Sequence, residues 1–126
     1  MCGIIGYVGD RKVIPILMKG LKKLEYRGYD SAGVAIINKE NKIEINKCKG
    51  KISYLEKMIS KKNLNSSLGL GHTRWATHGK PDNKNAHPHL SENCQVVVVH
   101  NGIIENYLQI KSKLTLEGYR FFTETD

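Results

Sequence analysis

The chain has 126 residues, 40% apolar and 25% charged, with a formal net charge of +8. That length sets a ceiling of one ordinary domain, able to bury roughly two-thirds of its unfolded surface. No apolar run approaches the roughly 20 residues of a membrane span, and no basic segment leads into a long apolar stretch at the N-terminus. Membrane and secretory roles are therefore not expected, and the cytoplasm is the default. Cys2, Cys48 and Cys94 are odd in number and widely spaced. This suits reduced thiols better than a disulfide framework. The positive charge raises the question of nucleic acid, but the lysines are scattered and no RNA- or DNA-binding motif surrounds the basic-aromatic cluster Tyr26-Arg27-Gly28-Tyr29. No nucleic-acid partner is expected.

Residues 2 to 9 mix apolar side chains with glycines and read as a buried strand closely approached by another backbone. Val13, Ile16, Leu17, Leu21 and Leu24 recur at helical spacing, with Pro15 tolerable in the first turn. Gly33 to Ile37 and Ile43-Glu44-Ile45 read as two strands of a hairpin turning through Lys39 to Lys42. Ile52, Leu55, Met58 and Ile59 predict a second, short helix, and Leu68 to Thr73 returns as a strand. Between Arg74 and Ser91 periodicity gives way to polar residues, glycine and proline, the signature of a long ordered loop and a usual place for function. The β-branched run Val96 to Val99 predicts a central strand ending at His100-Asn101-Gly102. Tyr107, Ile110 and Leu114 suggest a third helix stopped at Gly118, with a last strand over Tyr119 to Phe122. Helices and hairpins interleave without repeats or a linker, which predicts an α+β sandwich.

Cys2 has two readings. It is a small apolar residue opening a strand, or, if Met1 is removed, a residue whose thiol and free α-amine supply nucleophile and base together. Asn101-Gly102 is similarly divided between a tight turn and a pair of donors for a developing oxyanion. Arg74 is either a surface cation or a bidentate carboxylate clamp that lysine could not replace. Metal binding is not expected, because His78, His87, His89 and Cys94 lack a recognised zinc spacing.

Four segments decide among these readings: Cys2-Gly3-Ile4-Ile5-Gly6, Leu24 to Gly33 (LEYRGYDSAG), His72 to Gly79 (HTRWATHG) and His100 to Asn106 (HNGIIEN). Together, in order and over essentially the whole chain, they resemble the N-terminal glutaminase domain of glutamine–fructose-6-phosphate aminotransferases, which are N-terminal-nucleophile (class II) glutamine amidotransferases. Amidophosphoribosyltransferase, a related amidotransferase, shares the opening cysteine and an Asn-Gly but typically differs in the second and third segments. The resemblance implies a four-layer αββα sandwich, incomplete at the C-terminus, with residues 1–126 a partial glutaminase domain and the sugar-isomerase domains absent.

The resemblance further implies hydrolysis of glutamine to glutamate and ammonia, feeding conversion of fructose 6-phosphate to glucosamine 6-phosphate at the start of hexosamine synthesis. Cys2 would be the nucleophile, and the Asn101 side chain with the Gly102 N–H the oxyanion donors. Arg74, Thr77, His78 and Asp126 would hold the substrate, Trp75 would belong to the loop closing over it, and Arg27 would lie near the pocket. His87 would fix that loop by hydrogen bonding. No cofactor is implied; the partners are L-glutamine, fructose 6-phosphate through the absent domains, and a second copy in the full-length homodimer. The alternatives are a truncated remnant without catalysis, a glutamine-binding module, or another class II amidotransferase.

Overall fold

The computed structural model describes residues 1–126. The elements are β1 (Gly3–Val8), α1 (Val13–Leu24), β2 (Ser31–Ile37), β3 (Ile43–Lys49), α2 (Ile52–Ser60), β4 (Leu68–Arg74), β5 (His89–Leu90), β6 (Val97–Val98) and α3 (Tyr107–Leu116). One sheet runs β1-β4-β2-β3, and every neighbouring pair is antiparallel. β5 and β6 form a separate two-stranded ribbon. The organisation is α+β with antiparallel sheets, as the interleaved periodicities predict.

Side chains alternate faces along a strand, so each strand of the sheet divides into two sets. Ala32, Val34 and Ile36 of β2, with Cys48 of β3, pack against Val13, Leu17, Met18 and Leu21 of α1 and Ile52, Leu55 and Ile59 of α2. These positions recur every three or four residues on each helix, which places one stripe of each against the sheet. Helix α1 has no side-chain N-cap. Its Val13 N–H is met instead by the Ser66 carbonyl at 2.8 Å, tying the helix start to the approach of β4.

The opposite face is built for a different purpose. In the paired register Ser31 lies opposite Arg74, and Gly33 lies opposite both His72 and Lys47, so these polar residues share the face turned away from the helices. Gly33 admits the loop of residues 82–88: a Cβ there would meet the His87 carbonyl oxygen and stand 3.1 Å from Pro88 Cδ. Beside it Lys47 Nζ donates to the carbonyls of Lys84, Ala86 and Pro88 at 3.1, 2.7 and 3.2 Å. Burial pushes the Lys47 amine below its usual pKa; Asp82 opposes the shift and Arg74 adds to it.

Two expected elements differ. Val96 to Val99 does not make a central strand: only Val97 and Val98 pair, with Leu90 and His89, and Val96 and Val98 are 61% and 53% exposed. Tyr119 to Phe122 is irregular. There the Arg120 backbone N–H donates to Glu92 Oε2 at 3.2 Å and its side chain to Glu92 Oε1 at 2.5 Å, so a donor that a ladder would use is spent on a carboxylate. Helix α3 ends near Gly118, whose φ of +97° suits a glycine stop, but no α3 residue is buried.

Candidate functional site

The register that pairs Gly3 with Thr73 sets Cys2, one residue before β1, level with Arg74 at the end of β4. Both belong to the face away from the helices, and both line a cavity of about 210 Å³. Trp75, Thr77 and His78 of the following loop line it as well, as do Gly102 and Asp126 from the C-terminal segments. Cys2 is half-buried, and its Sγ accepts the Trp75 backbone N–H at 3.1 Å. The same segment is tied from the other side by Asp30, whose Oδ2 accepts the Ala76 N–H at 2.5 Å and whose own N–H reaches the Arg74 carbonyl at 2.8 Å.

Arg74 is almost wholly buried, 3% exposed. Its Nη2 donates to the His78 carbonyl and, at 3.2 Å, to that of Gly79, while Nη1 reaches Lys80 O at 3.4 Å. A guanidinium has five N–H donors. The folded loop takes three, which leaves two N–H groups without a partner in the chain. Asp126 supplies the opposite charge; its Oδ2 accepts the Ile104 N–H at 2.6 Å.

Asp126 reaches this wall through Asn85, a fully buried residue. Asn85 Oδ1 accepts the Glu124 N–H at 2.9 Å, and Nδ2 donates to Glu124 Oε2 at 3.0 Å and to Lys80 O at 3.1 Å. Gly79, at φ +73°, closes against this junction: a Cβ would stand 2.9 Å from Asn85 Nδ2 and from Glu124 Cβ. Asn85 thus joins the Arg74–Lys80 loop to residues 124–126.

His87 also lines the cavity and belongs to a group of three histidines. His72 and His87 stack with centroids 4.3 Å apart, and His87 meets His89 edge-on at 4.4 Å. Burial, reinforced by His72, His89, Arg74 and Lys47, pushes His87 down to about 2. Burial first, then Lys47 and Arg74, brings His89 to about 4. His72 is lowered by burial as well, against the hydrogen bonds to Asn101 and the His100 backbone. All three rings are neutral at pH 7. His87 Nδ1 is buried without a partner, and the ring packs on His72 and His89 in place of the expected side-chain hydrogen bond.

Asn101 sits between cavity-lining His100 and Gly102, but it is not itself in the wall; its Oδ1 lies 2.8 Å from His72 Nε2. Arg27 lies outside the lining and engages Met1: its carbonyl accepts the Met1 ammonium at 2.8 Å. His72, Asn85, Asp30 and Lys47 escaped the sequence reading. Asp30 and His72 stand inside the second and third motif segments, and a histidine following Leu68-Gly69-Leu70-Gly71 in a strand is a signal for a buried polar group. Lys47 carries no such signal.

A thiol, a guanidinium and a carboxylate thus line one small cavity on an antiparallel α+β frame. The chain belongs to the glutamine amidotransferase domain family, whose sequence profile matches residues 57–126. It is similar over its whole length to the glutamine–fructose-6-phosphate aminotransferases (isomerizing) of Caldanaerobacter subterraneus subsp. tengcongensis, at 56% identity, and of Bacteroides thetaiotaomicron, at 55%. It covers 21% and 20% of those proteins, about a fifth of their length. Among solved structures it resembles the glutamine phosphoribosylpyrophosphate amidotransferase of B. subtilis complexed with ADP and GMP. There the TM-score is 0.80 at 27% identity, over 100% of this chain and 27% of that one. The aminotransferases share about twice the identity of the phosphoribosyl enzyme, so the latter is the weaker alternative.

Proposed function

We propose that residues 1–126 form a glutaminase unit that hydrolyses the side-chain amide of L-glutamine, as part of a glutamine–fructose-6-phosphate aminotransferase. The observation that carries the reading is the cavity itself, where the Cys2 thiol faces the same space as Arg74 and Asp126. Glutamine offers a carboxylate for the first charge, an ammonium for the second and an amide carbon for the thiol.

In this mechanism Met1 is removed and the freed Cys2 amine takes the thiol proton. The sulfur attacks the amide carbon, and the carbonyl electrons move onto oxygen, which the Asn101 side chain and the Gly102 N–H receive. Collapse expels ammonia, which carries away the proton held by the amine, and leaves a γ-glutamyl thioester. Water then adds to the thioester to give glutamate and free thiol. Thr77 and His78 add donors around the substrate, and Trp75 lies on the loop that covers it. The ammonia serves fructose 6-phosphate amination by the isomerase part of the relatives, in the cytoplasm and in a homodimer, at the entry to hexosamine synthesis.

The test is ammonia release from glutamine by the purified chain, with intact mass and labelling by a glutamine-like electrophile. Expected are loss of Met1, modification at Cys2 and no turnover after Cys2→Ala. Active protein that retains Met1, or a Cys2→Ala variant that still releases ammonia, refutes the mechanism.

A further inference from the structure

His72 precedes Arg74 by two residues on β4 and shares its face of the sheet. Its side chain is fully enclosed, and the His87 ring covers it at 4.3 Å. Nδ1 is buried with no partner, and Nε2 lies 2.8 Å from Asn101 Oδ1. A neutral imidazole has one N–H and one bare nitrogen. Opposite a carbonyl oxygen the bare nitrogen would set lone pair against lone pair, so the proton belongs on Nε2, which donates to Asn101.

That bond settles the two ends of the Asn101 carboxamide. Its oxygen is held, while Nδ2 makes no hydrogen bond within the chain and keeps both hydrogens to offer. After a half-turn about the last side-chain bond, Nε2 could accept the NH2 only with the ring proton moved to Nδ1, a buried position with no acceptor, and an oxygen would stand where the NH2 had been. An oxygen there would repel the oxyanion it should stabilise. Donors aimed before the reaction act most strongly because no reorganisation is needed when charge develops.

We propose that His72 is a positioning residue for glutamine hydrolysis: its Nε2–H, donated to Asn101 Oδ1, fixes the carboxamide with the NH2 end free for the reacting oxygen. The proposal rests on the reading of Asn101 as an oxyanion donor. His72 touches no substrate; it acts through Asn101. His72→Phe keeps the ring volume and the stack on His87 but has no donor, whereas His72→Gln can carry an N–H close to the Nε2 position.

The experiment compares the two variants with the parent in glutamine hydrolysis, in binding of glutamate γ-semialdehyde, whose thiol adduct mimics the oxyanion, and in alkylation of Cys2 by iodoacetamide, which forms no oxyanion. For His72→Phe, kcat and aldehyde affinity should fall together by about 10²-fold with KM within about twofold, and alkylation should be unchanged. His72→Gln should recover most of the loss. Parent-like kcat and aldehyde affinity in His72→Phe would overturn the proposal, as would alkylation falling in parallel, which marks a general loss of structure.

A second measurement does not depend on turnover. Nitrogen-15 NMR of the histidine-labelled parent should show His72 protonated on Nε2. Protonation on Nδ1 instead overturns the proposal. If the parent releases no ammonia, the glutaminase reading fails, and the tautomer still decides whether His72 donates to Asn101.

Discussion

Moving from about pH 7.5 to about pH 5.5 should cost the native state about 2–3 kcal/mol, because the protein keeps His87 and His89 neutral in a range where the unfolded chain does not. Native His87 and His89 titrate at about 2 and about 4. Their unfolded counterparts titrate near 6.5. Above that value neither state holds the protons and the rings contribute no pH dependence. Below it the unfolded chain takes them up first, so stability falls as pH falls, and the His89 share levels off only near pH 4, where the native ring protonates too. At about pH 5.5 each unfolded histidine gains roughly 1.4 kcal/mol, from RT ln(1 + 10). Two give about 3, and screening at the half-buried rings trims the sum toward 2. His72 shifts in the same direction. Lys47 and Arg74 strengthen the effect at His89, and Asp126 opposes it. Against a typical total of roughly 5–15 kcal/mol the loss is large. Urea unfolding followed by far-UV circular dichroism at the two pH values measures it, and His89→Gln should remove roughly a third to a half of the pH dependence. Equal stability at both pH values, or an unchanged slope in His89→Gln, would refute the reasoning.

Gly33→Ala should destabilise the fold by about 1–3 kcal/mol, since the new Cβ meets the His87 carbonyl and stands 2.7 Å from Lys47 Cβ; a thermal midpoint equal to the parent's would contradict the close approach. Asn85→Ala leaves the Glu124 N–H without its buried partner, at about 1–3 kcal/mol, and the Lys80 carbonyl with only the 3.4 Å bond from Arg74 Nη1. It also releases residues 124–126 from the Arg74 loop. Calorimetry on the variant should therefore show glutamine affinity reduced about tenfold or more, and unchanged affinity would show that Asn85 does not place Asp126.

The parts of the fold legible in the sequence were those whose side-chain pattern repeats within a single element. Val13, Leu17 and Leu21 marked α1 because a helix repeats locally, and the same holds for Ile52, Leu55 and Ile59. The hairpin of β2 and β3 was equally plain, although β2 begins two residues earlier than expected, at Ser31. Val96 to Val99 misled because β-branched residues declare an extended backbone but not a partner, and only β5 pairs with them. Tyr119 to Phe122 misled for a related reason, with Glu92 competing for the backbone. At the site, the motif residues around Cys2, Arg74 and Gly102 stood out, and the structure gathers these three around one cavity. What holds them was hidden, because Asn85 with Glu124 and Lys47 with the carbonyls of residues 84–88 are contacts between distant segments. The position of Arg27 outside the cavity lining was equally beyond reach, since the short turn Glu25–Arg27 that follows α1 sets it.

The hydrogen bond from Trp75 to the Cys2 sulfur spans 73 residues of sequence. On a ribosome adding about 5–20 residues per second, the thiol therefore exists for about 4–15 s before its partner is made. Through that interval Cys2 is an ordinary thiol on an unstructured strand, with no β4 beside it and no cavity around it. Its surroundings arise only when β1 finds the correct register on β4, and a slip of two residues would carry it about 7 Å from Trp75. The thiol environment is thus a late product of folding, and its appearance reports that the longest-range strand pairing of the sheet is complete.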